Sequence, residues 1–207
     1  MTDDLIGVAE DSVRGGFFLF SGTAFATIIM GIGTILLARL MTPEVYGQYT
    51  LSLVIPQLLY LFTELGISQG VTKFTAELSK KGENEKVKRI ITHGLLLRIS
   101  AGIIISLVNF FAADLFASLV LQRPELAPYL RIASILIIFR VIFTTSISAF
   151  VGLDKSEYSA ITSNIQAISK TLISVALVLM GFTITGALIG QISVSYTHLT
   201  LPTILLV

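Results

Sequence analysis

The sequence predicts an all-α protein, a polytopic membrane helix bundle of about six transmembrane helices, and three observations lead there. Only 13% of its 207 residues are charged while 54% are hydrophobic, against roughly 25% charged in soluble domains, and the mean hydropathy is +0.86. Apolar stretches able to cross a hydrocarbon core of about 30 Å, which takes roughly 20 helical residues, recur along the chain. The connections between them are short, apart from one polar stretch that collects lysine and arginine.

The first span is expected at about 15–40, interrupted only by small residues such as Gly22, Ala26, Gly31 and Gly33, which let neighbouring helices approach closely. Gly31 and Gly33 lack the third glycine of a dinucleotide fingerprint. Upstream, Asp3, Asp4, Glu10 and Asp11 are unlike the basic start of a cleavable signal peptide, so this segment is expected to remain in the mature protein. Thr42-Pro43-Glu44 then reads as a helix start, with a hydroxyl N-cap, proline at the first helical position and an acid in the first turn. The second span, about 45–65, contains Pro56, which a membrane helix tolerates where neighbours satisfy the freed carbonyl. Tyr46 and Tyr49 suit an interfacial belt.

The most polar stretch follows, with Lys73, Lys80, Lys81, Lys86, Lys88 and Arg89, and the positive-inside rule places it in the cytoplasm. Val71, Phe74 and Leu78 recur at helical spacing and predict a short amphipathic helix on the anionic inner leaflet, the alternative being a solvated loop. Further spans are expected at 94–116, 131–153 and 158–181, with a sixth beginning near Ile184. With a cytoplasmic N-terminus, Arg123 lies in an external loop and Lys155 in an internal one.

The formal net charge of +1 gives no support to a nucleic-acid partner drawn by bulk positive charge. There is no cysteine, which excludes disulfides, thiol catalysis and cysteine-ligated metals. No His/Asp/Glu metal spacing, nucleophile elbow or phosphate loop is visible. No cofactor or metal is therefore expected, and neither is an enzyme; His93, beside the basic stretch, and Asp114, near the external end of the third span, read as interfacial.

The run Leu37-Ala38-Arg39-Leu40-Met41-Thr42-Pro43-Glu44-Val45-Tyr46-Gly47-Gln48-Tyr49 resembles the first-loop signature of Wzx-like polysaccharide flippases in the MOP exporter superfamily. Glu64-Leu65-Gly66-Ile67, similar to the family's acidic-Leu-Gly motif, follows at the usual distance, and the basic stretch comes next. The resemblance covers residues 12–193. It implies one lobe of a two-lobe transporter of the cytoplasmic membrane that moves lipid-linked, polyprenyl-pyrophosphate oligosaccharide between leaflets by alternating access. Implied partners are that substrate, membrane lipids, a coupling H+ or Na+, and a glycan polymerase or glycosyltransferases. The stretch from Val194 to Thr203 resembles a translated sequencing adapter, so residues 1–193 are expected to be a flippase lobe, and 194–207 a non-native tail in which His198 has no role.

Ionisable groups deep in a membrane span cost roughly 2.5–3.5 kcal/mol on insertion scales, so each is a functional candidate. Arg140 and Lys170 lie near the middle of the fourth and fifth spans. Arg140, Thr144 and Ser148 form one polar stripe, and Ser159, Ser163, Gln166, Lys170 and Ser174 another, each at the spacing of a single helix face. Such faces suit the lining of an aqueous cavity, where two cations can compensate a pyrophosphate that leaves water. Substrate binding is accordingly expected of Arg140, Lys170 and Gln166. Arg98 and Arg14 either extend the cationic path or act as positive-inside anchors. Gln57, Tyr60 and Glu64 share a face of the second helix. Glu64 is a candidate for binding the coupling ion, the plainer alternatives being an interfacial cap or a partner for a loop lysine. Three other functions compete: a multidrug or other lipid-precursor exporter, a membrane-bound transferase, and an anchoring module whose polar stripes pair with one another and leave no cavity.

Overall fold

The structure, a computed structural model, describes the backbone of residues 2–197 and the side chains of residues 13 and 15–192. Within these limits the protein is helical and contains no strand. The long helices are α1 (Thr2–Leu40), α2 (Pro43–Leu61), α3 (Ile67–Lys80) and α4 (Asn84–Phe111); a single turn, α5 (Ala113–Leu115), precedes α6 (Ala127–Gly152), α7 (Ser156–Leu179) and α8 (Thr183–Thr197). Four segments are long and apolar enough to cross a membrane: Gly15–Leu40, Asn84–Phe111, Pro124–Gly152 and Ser156–Leu179. The chain is thus a multi-pass membrane protein. The expected sixth segment is the shorter apolar helix Thr183–Ile192. α8 continues through to Thr197, into the tail expected from Val194 onwards; residues 198–207, His198 among them, lie outside the described residues.

The turn between α1 and α2 forms as its residues dictate. Thr42 sits in extended backbone and its side chain accepts from the Val45 amide at 3.4 Å, with Pro43 opening the helix. Proline loses nothing there, because its missing N–H would have had no intrahelical partner.

α6 is the central helix, in contact with α2, α3, α4, α7 and α8. Its Leu130, Ala133, Ile137 and Val141 are almost entirely buried. α1 lies along α7, and α8 packs on both α7 and α6. Small residues set the closest approaches. A Cβ on Gly22 of α1 would collide with Ala160 of α7, and one on Gly152 at the end of α6 would lie 2.8 Å from the Thr72 carbonyl oxygen of α3.

The short amphipathic helix expected after Gly66 is present as α3, and the structure adds how it joins the second span. The helix breaks at 62–66 and resumes as α3, which packs against α4 and α6. The break has a local cause. Phe62, Thr63 and Glu64 donate to Leu59, Tyr60 and Leu61, a tightened final turn. Leu65 (φ 36) and Gly66 (φ 76) then take positive φ, a conformation glycine adopts at little cost and leucine does not. Val71 is buried against α4, and the Thr72 hydroxyl donates to the Ser148 carbonyl of α6 at 3.0 Å. The basic side chains of α3 and of the α3–α4 turn point outward, with Lys81 paired to Glu77 at 2.6 Å and Lys86 to Glu83 at 2.8 Å. α4 begins about ten residues before the predicted span at Gly94, because its first turns are polar and escape a hydropathy criterion.

Candidate functional site

A cavity of about 270 Å³ opens among α1, α2, α6, α7 and α8. Its apolar wall is Met30, Leu53, Pro56, Leu136, Ile137 and Phe143; its polar groups are Gln57, Tyr60, Arg140, Thr144, Gln166, Lys170 and Gln191. Arg140 is near the midpoint of α6 and Lys170 near the midpoint of α7, so two cations from different helices share one space at mid-bundle height. Among the described residues neither forms an ion pair. Like charges in one cavity with no carboxylate between them are costly unless water or an anion compensates them.

The Arg140 guanidinium is held by an aromatic ring: its Cζ lies 4.6 Å from the Tyr60 ring centroid, within the range of a cation–π contact. Gln191 donates to the hydroxyl of Tyr49, an end-wall contact between α8 and α2. The Thr144 hydroxyl, one turn on from Arg140, donates back to the Arg140 carbonyl at 2.9 Å.

Beside the cavity, and not lining it, is a buried ion pair. Arg98, at the midpoint of α4, has no exposed surface. Its Nη2 donates to Glu64 Oε1 at 2.8 Å and to the Tyr60 hydroxyl at 3.3 Å, and its Nη1 donates to Thr144 at 3.1 Å and to Ser68. Glu64 also accepts from Tyr60 and, at 3.0 Å, from Ser68. Its carboxylate therefore faces donors from α2, α3 and α4 across the helix break.

The structure thus sorts the residues singled out by sequence. Arg140, Lys170 and Gln166 come together around one cavity. Arg98 and Glu64 come together in a separate pair, so among the described residues Glu64 partners an arginine of α4 and not a loop lysine. The side chain of Arg14 lies outside the described residues. The stripe on α6 divides: Arg140 and Thr144 reach the cavity, whereas the Ser148 carbonyl binds α3. On α7, Ser159 and Ser174 are buried in packing, with Ser174 donating to the Ala187 carbonyl at 3.3 Å. Asp114 pairs with Arg131 at an exposed position, and His93 Nδ1 lies 2.8 Å from the Arg89 carbonyl. Gln191 lines the cavity without a sequence signal, since one glutamine in an apolar stretch has no partner at helical spacing. Tyr60 and Glu64 do carry such a signal, the i, i+4 spacing that places them together.

Fold and cavity define a polytopic membrane protein with a polar, cation-bearing space between its helices. A profile of the family described as polysaccharide biosynthesis protein matches residues 12–206, and the chain belongs to that family, in keeping with the Wzx-like resemblance of its first loop. No curated protein and no solved structure matches the chain significantly.

Proposed function

We propose that the chain forms a lobe of a flippase that carries a lipid-linked, pyrophosphate-bearing oligosaccharide across the cytoplasmic membrane for cell-surface polysaccharide biosynthesis. The observation that carries this reading is the cavity with Arg140 and Lys170 on facing helices and no carboxylate among its described lining residues. A pyrophosphate is dianionic or more, and must exchange its hydration for fixed cations and hydrogen-bond donors when it enters a bundle. Arg140 and Lys170 supply the charge, and Gln57, Gln166, Gln191 and Thr144 supply donors and acceptors of the kind that meet sugar hydroxyls.

Transport on this reading needs no covalent chemistry. The substrate's phosphates enter from the cytoplasmic side, the cavity cations hold them, and rocking of this lobe against a second one re-exposes them outside. The N-terminus and the basic α3–α4 region face the cytoplasm, where glycosyltransferases deliver the substrate. An exporter of cationic drugs fits less well, because two cavity cations repel such a cargo. Polar stripes that only paired with each other would leave no cavity, which is the reason an anchoring module is set aside.

The test is glycan export in cells. Arg140→Ala and Lys170→Ala in the full-length protein are each expected to abolish surface glycan while folded protein persists in the membrane. Normal export by both variants overturns the assignment.

A further inference from the structure

We infer that Arg98, with Glu64, positions the cavity guanidinium of Arg140 through the ring of Tyr60, so that a buried ion pair that never meets the substrate sets where its phosphates are held. The inference deepens the anion-binding reading above and rests on it for its functional meaning.

Arg98 cannot bind cargo directly: it is fully buried and absent from the cavity wall. Each of its two terminal nitrogens instead donates to a group in contact with Arg140. Nη2 reaches the Tyr60 hydroxyl, and the Tyr60 ring lies beneath the Arg140 guanidinium at 4.6 Å. Nη1 reaches Thr144, whose own hydroxyl returns to the Arg140 carbonyl. Two short paths therefore join one arginine to the other, one through an aromatic side chain and one through α6 itself. Glu64 closes the arrangement by accepting from both Arg98 and Tyr60.

Such a support answers a specific need. Arg140 is a long side chain with many rotamers, it shares its cavity with Lys170, and among the described residues no carboxylate anchors it. Left to itself it turns away from a like charge. A tyrosine ring offers a cation a face without neutralising it, so Arg140 stays in place with its full charge available to an anion. The hydroxyl is the handle by which the ring is fixed, and Arg98 and Glu64 hold that handle at the point where α2 breaks into α3. Pre-organisation of this sort raises affinity by reducing what must be ordered on binding.

The experiment uses the full chain in lipid nanodiscs and two readouts. The first needs no ligand: the rate at which phenylglyoxal modifies Arg140, followed by mass spectrometry, with Arg131 on the same helix as internal control. The second is affinity for inorganic pyrophosphate by calorimetry. Arg98→Gln and Tyr60→Leu are each expected to speed Arg140 modification several-fold, leave Arg131 unchanged, and weaken pyrophosphate binding by about tenfold, the scale of a desolvated cation–π contact. The double variant should bind no more weakly than the weaker of the two single ones, because Tyr60→Leu cuts a path that Arg98→Gln already cuts. Tyr60→Phe, which keeps the ring, should be milder than Tyr60→Leu, and Arg98→Lys should recover part of the loss. Unchanged Arg140 modification in Arg98→Gln overturns the inference, as does a parallel rise at Arg131, which marks general loosening of the bundle, or multiplicative effects in the double variant. If the modification pattern holds while wild type binds no pyrophosphate, the positioning stands and the anion-binding reading fails.

Discussion

Replacing Glu64 by alanine removes the carboxylate that faces a guanidinium with no exposed surface. Breaking a buried pair by deleting one partner costs about 3–5 kcal/mol, because the remaining charge stays desolvated. The Arg98 side chain is 0% exposed but that of Glu64 is 29% exposed, so water can reach the vacated end and the lower limit, about 3 kcal/mol, is the appropriate one. For a chain of this size each kcal/mol moves the melting temperature by about 2–4 °C, giving a fall of about 6–12 °C. Glu64→Gln keeps an acceptor oxygen for Arg98 and loses only the charge, and should fall about half as far. Glu64→Gln combined with Arg98→Met removes the buried charge altogether and should recover towards wild type, since an apolar replacement of a buried pair is often neutral. The chain has neither Trp nor Cys, so melting is best followed by circular dichroism at 222 nm in detergent. A Glu64→Ala protein melting within 2 °C of wild type would refute the reasoning and return Glu64 to a dispensable cap.

Three further perturbations test other parts of the fold. Gly152→Leu forces a side chain against the Thr72 carbonyl, 2.8 Å from where its Cβ must sit, and should destabilise by about 1–3 kcal/mol, seen as early melting and faster proteolysis at the α3–α4 turn. Thr42→Ala removes an N-cap whose hydrogen bond is long, 3.4 Å, so the loss should be near the lower end of the usual range, about 0.5 kcal/mol, and visible as a small melting shift. Asp114→Asn breaks an ion pair whose side chains are 68% and 40% exposed; a surface pair contributes about 0–1 kcal/mol, so melting should move by no more than about 4 °C.

Much of this architecture is legible from residue type. The apolar spans and the Thr42-Pro43 helix start follow from local chemistry that packing does not alter. Arg140 and Lys170 are legible for a different reason: a charge at mid-span is costly enough to make each a candidate, and Gln166 follows because it shares the helix face of Lys170 at i, i+4 spacing. Glu64 was harder to place. A hydropathy reading ends the second span near Glu64, where polar residues begin, whereas the positive φ of Leu65 and Gly66 lets the helix break and restart against α4 and α6. What then places Glu64 opposite Arg98 is tertiary contact between α2, α3 and α4, for which no spacing along the chain is a proxy. The amphipathic pattern of α3 shows the same limit, since Val71 looks alike in sequence whether it faces lipid headgroups or Gly94. Gln191 depends entirely on how α8 folds back onto α2.

The facing cations of α6 and α7 are proposed to bind phosphate. Calorimetric titration of inorganic pyrophosphate into the full chain, with Arg140→Gln and Lys170→Gln beside wild type, addresses it without invoking transport. A charge-assisted hydrogen bond contributes about 1.5–3 kcal/mol, so each substitution should weaken binding by about 10- to 100-fold, and the two together should leave none measurable. Wild-type affinity retained in both variants would contradict the account.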